Sequence, residues 1–288
     1  MLSRGLRISG ILFLLAAPVL AQVSSGDVSP LTTETQPIVR RQPRPRIVAP
    51  GTRPPYYDPL RHVTVSYNTI WAGYAVTGTD FTQVQGSWIV SAVDCTKTPN
   101  SDSSEWVGID GWSSNTVEQV GTDADCNGKT PFYYVWYEFY PLNTIVIKDV
   151  SIAPGDKFSA SVVYDGDNEY TVSIINETTG ESFSKEVEFK GAEGSGVPLR
   201  NSAEWIEEMD GNLLSDFGRD LFGERFTEVS DGTNSAVDST TSGVISNFGD
   251  AVQESISTKN GNQNSKDTAV PSALTSDGAS FGVTWKSE

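Results

Sequence analysis

From about Val63 onward, apolar residues recur at every second position in short runs. Thr82 to Val90 alternates in this way, as do Phe158-Ser159-Ala160-Ser161-Val162 and Tyr170-Thr171-Val172-Ser173-Ile174. Phe183, Val187 and Phe189 continue the pattern, and Phe281, Val283 and Trp285 close it. Successive side chains of a strand point to opposite faces, so a period of two marks a strand with one face buried. Pro154-Gly155-Asp156, Asp165-Gly166-Asp167 and Thr179-Gly180 supply turns between the runs. Many short strands at this spacing predict an all-β fold, an antiparallel β-sandwich. Hydrophobic residues make up 37% of the chain, enough to fill its core. Helical spacing is confined to Leu213, Phe217 and Leu221, and Gly218 and Gly223 weaken it. Residues 230–280 are rich in Ser, Thr, Asn, Asp and Gly and predict a long loop with an irregular strand. Only Gly243-Val244-Ile245 and Ala269 to Leu274 promise order there, before a last strand at 280–286.

The first 62 residues differ in kind. Arg4 and Arg7 precede a short apolar run, Ile11 to Ala17, and Val19-Leu20-Ala21 offers a cleavage site, so 1–21 reads as a secretory signal. The run falls short of the roughly 20 residues that span a bilayer. Residues 22–62 are Pro- and Arg-rich and read as a pro-segment, leaving 63–288 as the sandwich domain. Residues 1–62 hold eight Arg and three acids, a net +5, which leaves −22 for the remainder of a chain whose total is −17. Such a body repels nucleic acid and suits an acidic medium, where its carboxylates protonate. The basic segment is expected to act as an inhibitor of its own anionic domain until acid releases it. The product is expected to be extracellular and monomeric, with no membrane partner. Asn176-Glu177-Thr178 is a glycosylation sequon. Cys95 and Cys126 read as one disulfide in an exported protein, with two free thiols as the alternative.

Residue counts remove most hydrolytic chemistries. The one histidine, His62, lies at the edge of the pro-segment, so a Ser–His–Asp or Cys–His site lacks a base. Zinc sites built on two or three histidines are excluded by number, and no cofactor is expected. Carboxylates, amides and hydroxyls remain. They concentrate in three clusters: Trp106-Val107-Gly108-Ile109-Asp110-Gly111 followed by Glu118-Gln119-Val120-Gly121, then Tyr134-Val135-Trp136-Tyr137-Glu138-Phe139-Tyr140-Pro141, then Ala203-Glu204-Trp205-Ile206-Glu207-Glu208. On strands, Trp136 shares a face with Glu138, and Glu204 and Ile206 share one with Glu208. A face that joins Trp to Glu suits a substrate cleft; the alternative is a solvent-facing strand with aromatics behind it.

In this order the clusters resemble the glutamic peptidases, the eqolisins. Trp71-Ala72-Gly73-Tyr74 resembles that family's opening strand, Leu214-Ser215-Asp216-Phe217-Gly218 and Ser276-Asp277-Gly278 to Trp285 are also similar, and the likeness runs over roughly 66–288. The resemblance implies a bent sandwich of the concanavalin A-like type and acid endopeptidase activity on protein or peptide substrates. It places the catalytic pair on Gln119 and Glu208, and cleft or supporting roles on Trp71, Trp106, Asp110, Trp136, Glu138 and Glu204. It also implies a bond between Cys95 and Cys126. Tyr134 and Val135 stand where many members have Asp and Ala, so the network behind the pair is expected to differ. Glu207 fills a usually apolar slot, which predicts a wet outer face for its strand. Two rival readings share the sandwich: a carbohydrate-active protein, although the Glu-x-Asp-x-x-Glu pattern of one glucanase group is absent, and a noncatalytic binding domain.

Overall fold

The structure, a computed structural model, describes Pro45 and residues 54–211, 213–257 and 267–286. The expected signal sequence and most of the expected pro-segment lie outside the described residues.

Among the described residues eighteen strands follow one another: β1 (Tyr56–Asp58), β2 (Val63–Asn68), β3 (Trp71–Thr77), β4 (Gln83–Ile89), β5 (Ser104–Ile109), β6 (Val117–Asn127), β7 (Thr130–Tyr140), β8 (Ile145–Ile147), β9 (Lys157–Gly166), β10 (Glu169–Asn176), β11 (Glu181–Glu188), β12 (Ser202–Glu208), β13 (Arg219–Phe222), β14 (Ser235–Val237), β15 (Ser242–Val244), β16 (Val252–Ser257), β17 (Asp267–Pro271) and β18 (Phe281–Trp285). One four-residue helix, α1 (Glu224–Thr227), and one 3-10 turn, Ile245–Asn247, interrupt them.

Hydrogen bonding joins all eighteen strands into two layers of a β-sandwich. The first runs β1–β2–β16–β3–β12–β5–β6–β7–β8. The second runs β11–β10–β9–β4–β13–β18–β17, with β14 and β15 also hanging from β4. The β16–β17 pair joins the layers. Every pairing is antiparallel except β2 with β16.

Alternation drives this arrangement. Phe158, Ala160 and Val162 of β9 and Tyr170, Val172 and Ile174 of β10 are buried, as their period predicts. They meet the inward residues of the first layer: Phe139 packs on Tyr170 and Tyr74 on Phe281. Trp88 of β4 lies beside Phe158 and donates its Nε1–H to Thr122 Oγ1 of β6 at 2.8 Å. Trp205 of β12 donates to the Gln85 carbonyl at 2.8 Å. Each large side chain so buried contributes about 1.5–3 kcal/mol, and both indole N–H groups are satisfied.

Several expectations change. Leu213 to Phe222 forms no helix: Leu214 bridges Asp102, Gly218 adopts a left-handed φ of 67°, and β13 follows. Residues 230–280 hold four strands rather than a long loop with one irregular strand. The least legible is β16, whose Gln253, Glu254 and Ser255 hide the alternation, yet it is buried throughout between β2 and β3. The sheet also begins before Val63, because Tyr56–Asp58 pairs with β2.

Cys95 and Cys126 form the expected disulfide. Asn176, the sequon residue, is fully buried, and its Nδ2 donates to the Ser151 carbonyl and to Asp156, both at 2.9 Å. Both hydrogens of that nitrogen are thus engaged within the fold, where they fix a turn. No helix among the described residues is long and apolar enough to cross a membrane.

Candidate active site

Register fixes which side chains share a face. Across the first layer one row reads Trp71–Glu208–Ser104–Asp123–Tyr134, a second Gly73–Ile206–Trp106–Gly121–Trp136–Val146, and a third Ala75–Glu204–Gly108–Gln119–Glu138. All three lie on the face turned away from the second layer, since Trp205, of the opposite parity, reaches inward to β4. Six of the eight expected catalytic and cleft residues therefore come from four neighbouring strands, β12, β5, β6 and β7. Trp71 joins them from β3.

Register corrects the expected catalytic pair: Gln119 stands across β5 from Glu204, with Gly108 between them, whereas Glu208 lies four residues further along β12. Gln119 and Glu208 are each held by a neighbour. Trp106 Nε1 donates to Glu208 Oε2 at 2.9 Å. Gln119 Nε2 donates to Glu138 Oε2 at 2.9 Å. Gln119 Oε1 has no hydrogen-bond partner among the described residues. The Trp106 ring spans the interval between the pair. Its Nε1 meets Glu208, while its six-membered edge lies 2.9 Å from where a Cβ on Gly108 would stand, itself 3.1 Å from Gln119 Cβ. Trp71 meets that ring edge-on, with centroids 5.0 Å apart. Gly121 does similar service, since a Cβ there would stand 2.6 Å from Trp106 Cβ and 2.9 Å from the Trp136 ring. Both glycines are legible in the motifs, but their role as seats for indoles appears only in the packing. In the full chain Gln119 and Glu208 are each 1% exposed.

Asp110 sits just past β5 at φ 72° and accepts the backbone N–H groups of Leu199, Arg200 and Asn201 at 2.8, 2.8 and 2.9 Å. It thereby ties down the segment that leads into β12. Burial raises its pKa, against the lowering effect of those bonds. Glu204, in the row of Gln119, is buried with neither carboxyl oxygen paired among the described residues. Burial, then the nearby charges of Asp110 and Glu118, pushes its pKa well up. Tyr134, the departure noted in the sequence, donates its hydroxyl to Asp123 on the neighbouring strand. Thr144, which no sequence pattern marked, donates to Glu138 Oε1 at 2.7 Å.

Glu207 corrects an expectation. It faces the interior rather than water and clusters with Glu105 and Asp220, their oxygens within 4.8 Å of one another and all three buried. Glu105 accepts from Thr122 Oγ1 at 2.9 Å, and Asp220 from the Ser91 hydroxyl. Neither Glu207 oxygen meets an N–H or O–H donor among the described residues. Its carboxyl must therefore carry its own proton toward Asp220. Burial, then mutual repulsion, drives Glu105 and Glu207 well up, and burial lifts Asp220 to about 7. Three oxygens so placed could grip a cation, but protons alone satisfy the cluster in acid.

The only histidine is exposed beside Tyr57, and there is no free thiol among the described residues. The outer face of the sandwich fixes one carboxylate and one amide among indoles. Residues 69–270 match the Peptidase A4 family, and the chain belongs to it. It is a peptidase, and its substrates are proteins or peptides. Scytalidopepsin B of Scytalidium lignicola is 29% identical over 196 residues, 67% of this chain and 71% of that protein. Aspergillopepsin-2 of Aspergillus niger is 29% identical over 184 residues, 54% of this chain and 63% of that protein. A crystal structure of scytalido-glutamic peptidase with a transition state analog inhibitor shares the fold. Its TM-score is 0.60 at 22% identity, over 76% of this chain and 98% of that one.

Proposed function

We propose that this peptidase is a secreted acid endopeptidase in which Gln119 and Glu204, in the place expected of Glu208, activate one water molecule for direct attack on a peptide carbonyl. The observation that carries the reading is register: the two groups stand in one row across Gly108, and Gln119 Oε1 and both Glu204 oxygens have no partner among the described residues, while the Trp106 ring separates Gln119 from Glu208. Glu204 takes a proton from the water as the water's oxygen bonds to the carbonyl carbon. Gln119 accepts the water's other O–H at Oε1 and turns its second Nε2–H to the developing oxyanion. Glu204 then returns its proton to the departing nitrogen as the C–N bond breaks. No covalent intermediate forms. An amide suits this place because it donates and accepts without adding a second charge.

By charge, the Arg-rich stretch within 22–62 suits an inhibitor of the anionic domain, and protonation of the domain would weaken its hold. A precursor already fully active at neutral pH would count against this. The catalytic reading is tested by casein clearing at about pH 3–4, where carboxylates are near their midpoints. Gln119→Ala and Glu204→Gln should each abolish clearing in folded protein, since one oxyanion donor alone is worth about 100- to 1000-fold. Near-normal activity in Glu204→Gln would sink the assignment. Release of reducing sugar in place of peptides would favour the carbohydrate-active reading.

A further inference from the structure

We infer that Thr144 is a positioning residue of this site, holding Glu138 so that the Gln119 amide keeps one orientation; the inference rests on the Gln119–Glu204 reading. A side-chain amide has two orientations of nearly equal shape, half a turn apart, which exchange a donor for an acceptor. Catalysis as proposed needs Oε1 toward the water and Nε2 able to donate. The selector is Glu138, whose Oε2 accepts the Nε2–H at 2.9 Å. That selection holds only while Oε2 stays an acceptor and stays in place.

Thr144 secures both conditions. It lies in the short connection between β7 and β8, where Leu142 N–H closes the turn onto the Phe139 carbonyl at 2.8 Å. The strands then pair Tyr137 with Ile145 and Trp136 with Val146, and one further step in that register sets Thr144 opposite Glu138. Its hydroxyl meets Oε1, the oxygen remote from Gln119, at 2.7 Å. A hydroxyl donates to a carboxylate and accepts from a carboxylic acid. It therefore anchors the remote oxygen in either state, and any proton Glu138 carries has a partner on the side away from the amide. Without the hydroxyl, a protonated Glu138 can present its own O–H to Gln119, and the reversed amide then competes. Glu208, Trp106 and the cleft rings are untouched by this chain of contacts, so binding of substrate should survive its loss.

The test is steady-state hydrolysis of a peptide by acid-activated enzyme carrying Thr144→Val, Thr144→Ala or Thr144→Ser, with Gln119→Ala alongside and melting curves for each. Loss of one such hydrogen bond predicts a roughly tenfold fall in kcat for Val and Ala. KM should stay unchanged, and Ser should restore the rate. Thr144 is half-buried in a turn, and two replacements of different shape guard against a folding artefact. Wild-type kcat in both Val and Ala, with Gln119→Ala inactive, overturns the inference and leaves the dyad standing. An active Gln119→Ala overturns both. A fall in all three variants, Ser included, or a rise in KM alone, assigns Thr144 to packing or substrate contact and overturns it as well.

Discussion

Raising the pH from 4 to 7 should strip this fold of stability, because its interior holds protons that the unfolded chain releases. Asp220 ordinarily titrates near 3.8 but is pushed up to about 7 when buried beside Glu207. The folded state therefore binds the proton more tightly than the unfolded state. Its contribution is complete below pH 4, falls as pH rises above the unfolded value, and is gone past about 7. About three units at 1.36 kcal/mol each make about 4 kcal/mol from this one group. For a domain of this size that corresponds to about 8–16 °C in Tm. Glu105, Glu118, Glu204 and Glu207, all raised chiefly by burial, act in the same direction. Thermal melts followed by tryptophan fluorescence, on the Gln119→Ala chain to prevent self-digestion, should show Tm falling steadily from pH 4 to 7. Surface repulsion in a chain of net charge −17 would produce a similar trend. It is screened at about 0.5 M salt, whereas buried groups are not. Asp220→Asn should flatten the slope by about one proton in that window. A Tm that is level or rises between pH 4 and 7 in high salt would refute the reasoning, because it requires these carboxyls to be ionised in the folded state.

Trp106→Phe keeps a ring but removes the donor to Glu208; we expect kcat/KM to drop about 10- to 100-fold with little change in Tm. Gly121→Ala forces a methyl to within 2.4 Å of the Glu105 carbonyl oxygen, and should cost about 1–3 kcal/mol or more in urea unfolding. Intact mass of the folded domain secreted from a glycosylating host should show Asn176 unmodified, since both its amide hydrogens are used inside the fold.

The strands that carry one buried face were legible because burial on one side writes itself as alternation. Phe158 to Val162 and Tyr170 to Ile174 are such strands. β16 was not legible, because it is buried on both sides by polar residues. Its Glu254 accepts from Asn68 at 2.6 Å and Gln253 donates to Tyr74 at 3.0 Å, partners that no local pattern shows. The site was legible in its groups and not in its supports. Trp with Glu at alternate positions marked the face, but Thr144 reaches Glu138 across a turn, and nothing in Asn-Thr-Ile announces it. Gly108 and Gly121 stood in the motifs, yet only the indoles lying over them give them work.

Glu207 shows why local pattern failed where it mattered most. A Glu on the inward parity of a strand reads as a solvent-facing residue, because an ionised carboxylate in an apolar interior is costly. That rule presumes neutral pH. A neutral carboxyl is merely a polar group, and it is satisfied by sharing its proton with a neighbouring carboxyl, as Glu207 can with Asp220. An interior holding Glu105, Glu118, Glu207 and Asp220 is therefore most stable in acid. Protonation of the departing amine in acid would assist the cleavage proposed for the opposite face. The two faces of β12 thus place Glu204 and Glu207 under one requirement: the pH that keeps the interior neutral is the pH at which the dyad is proposed to act.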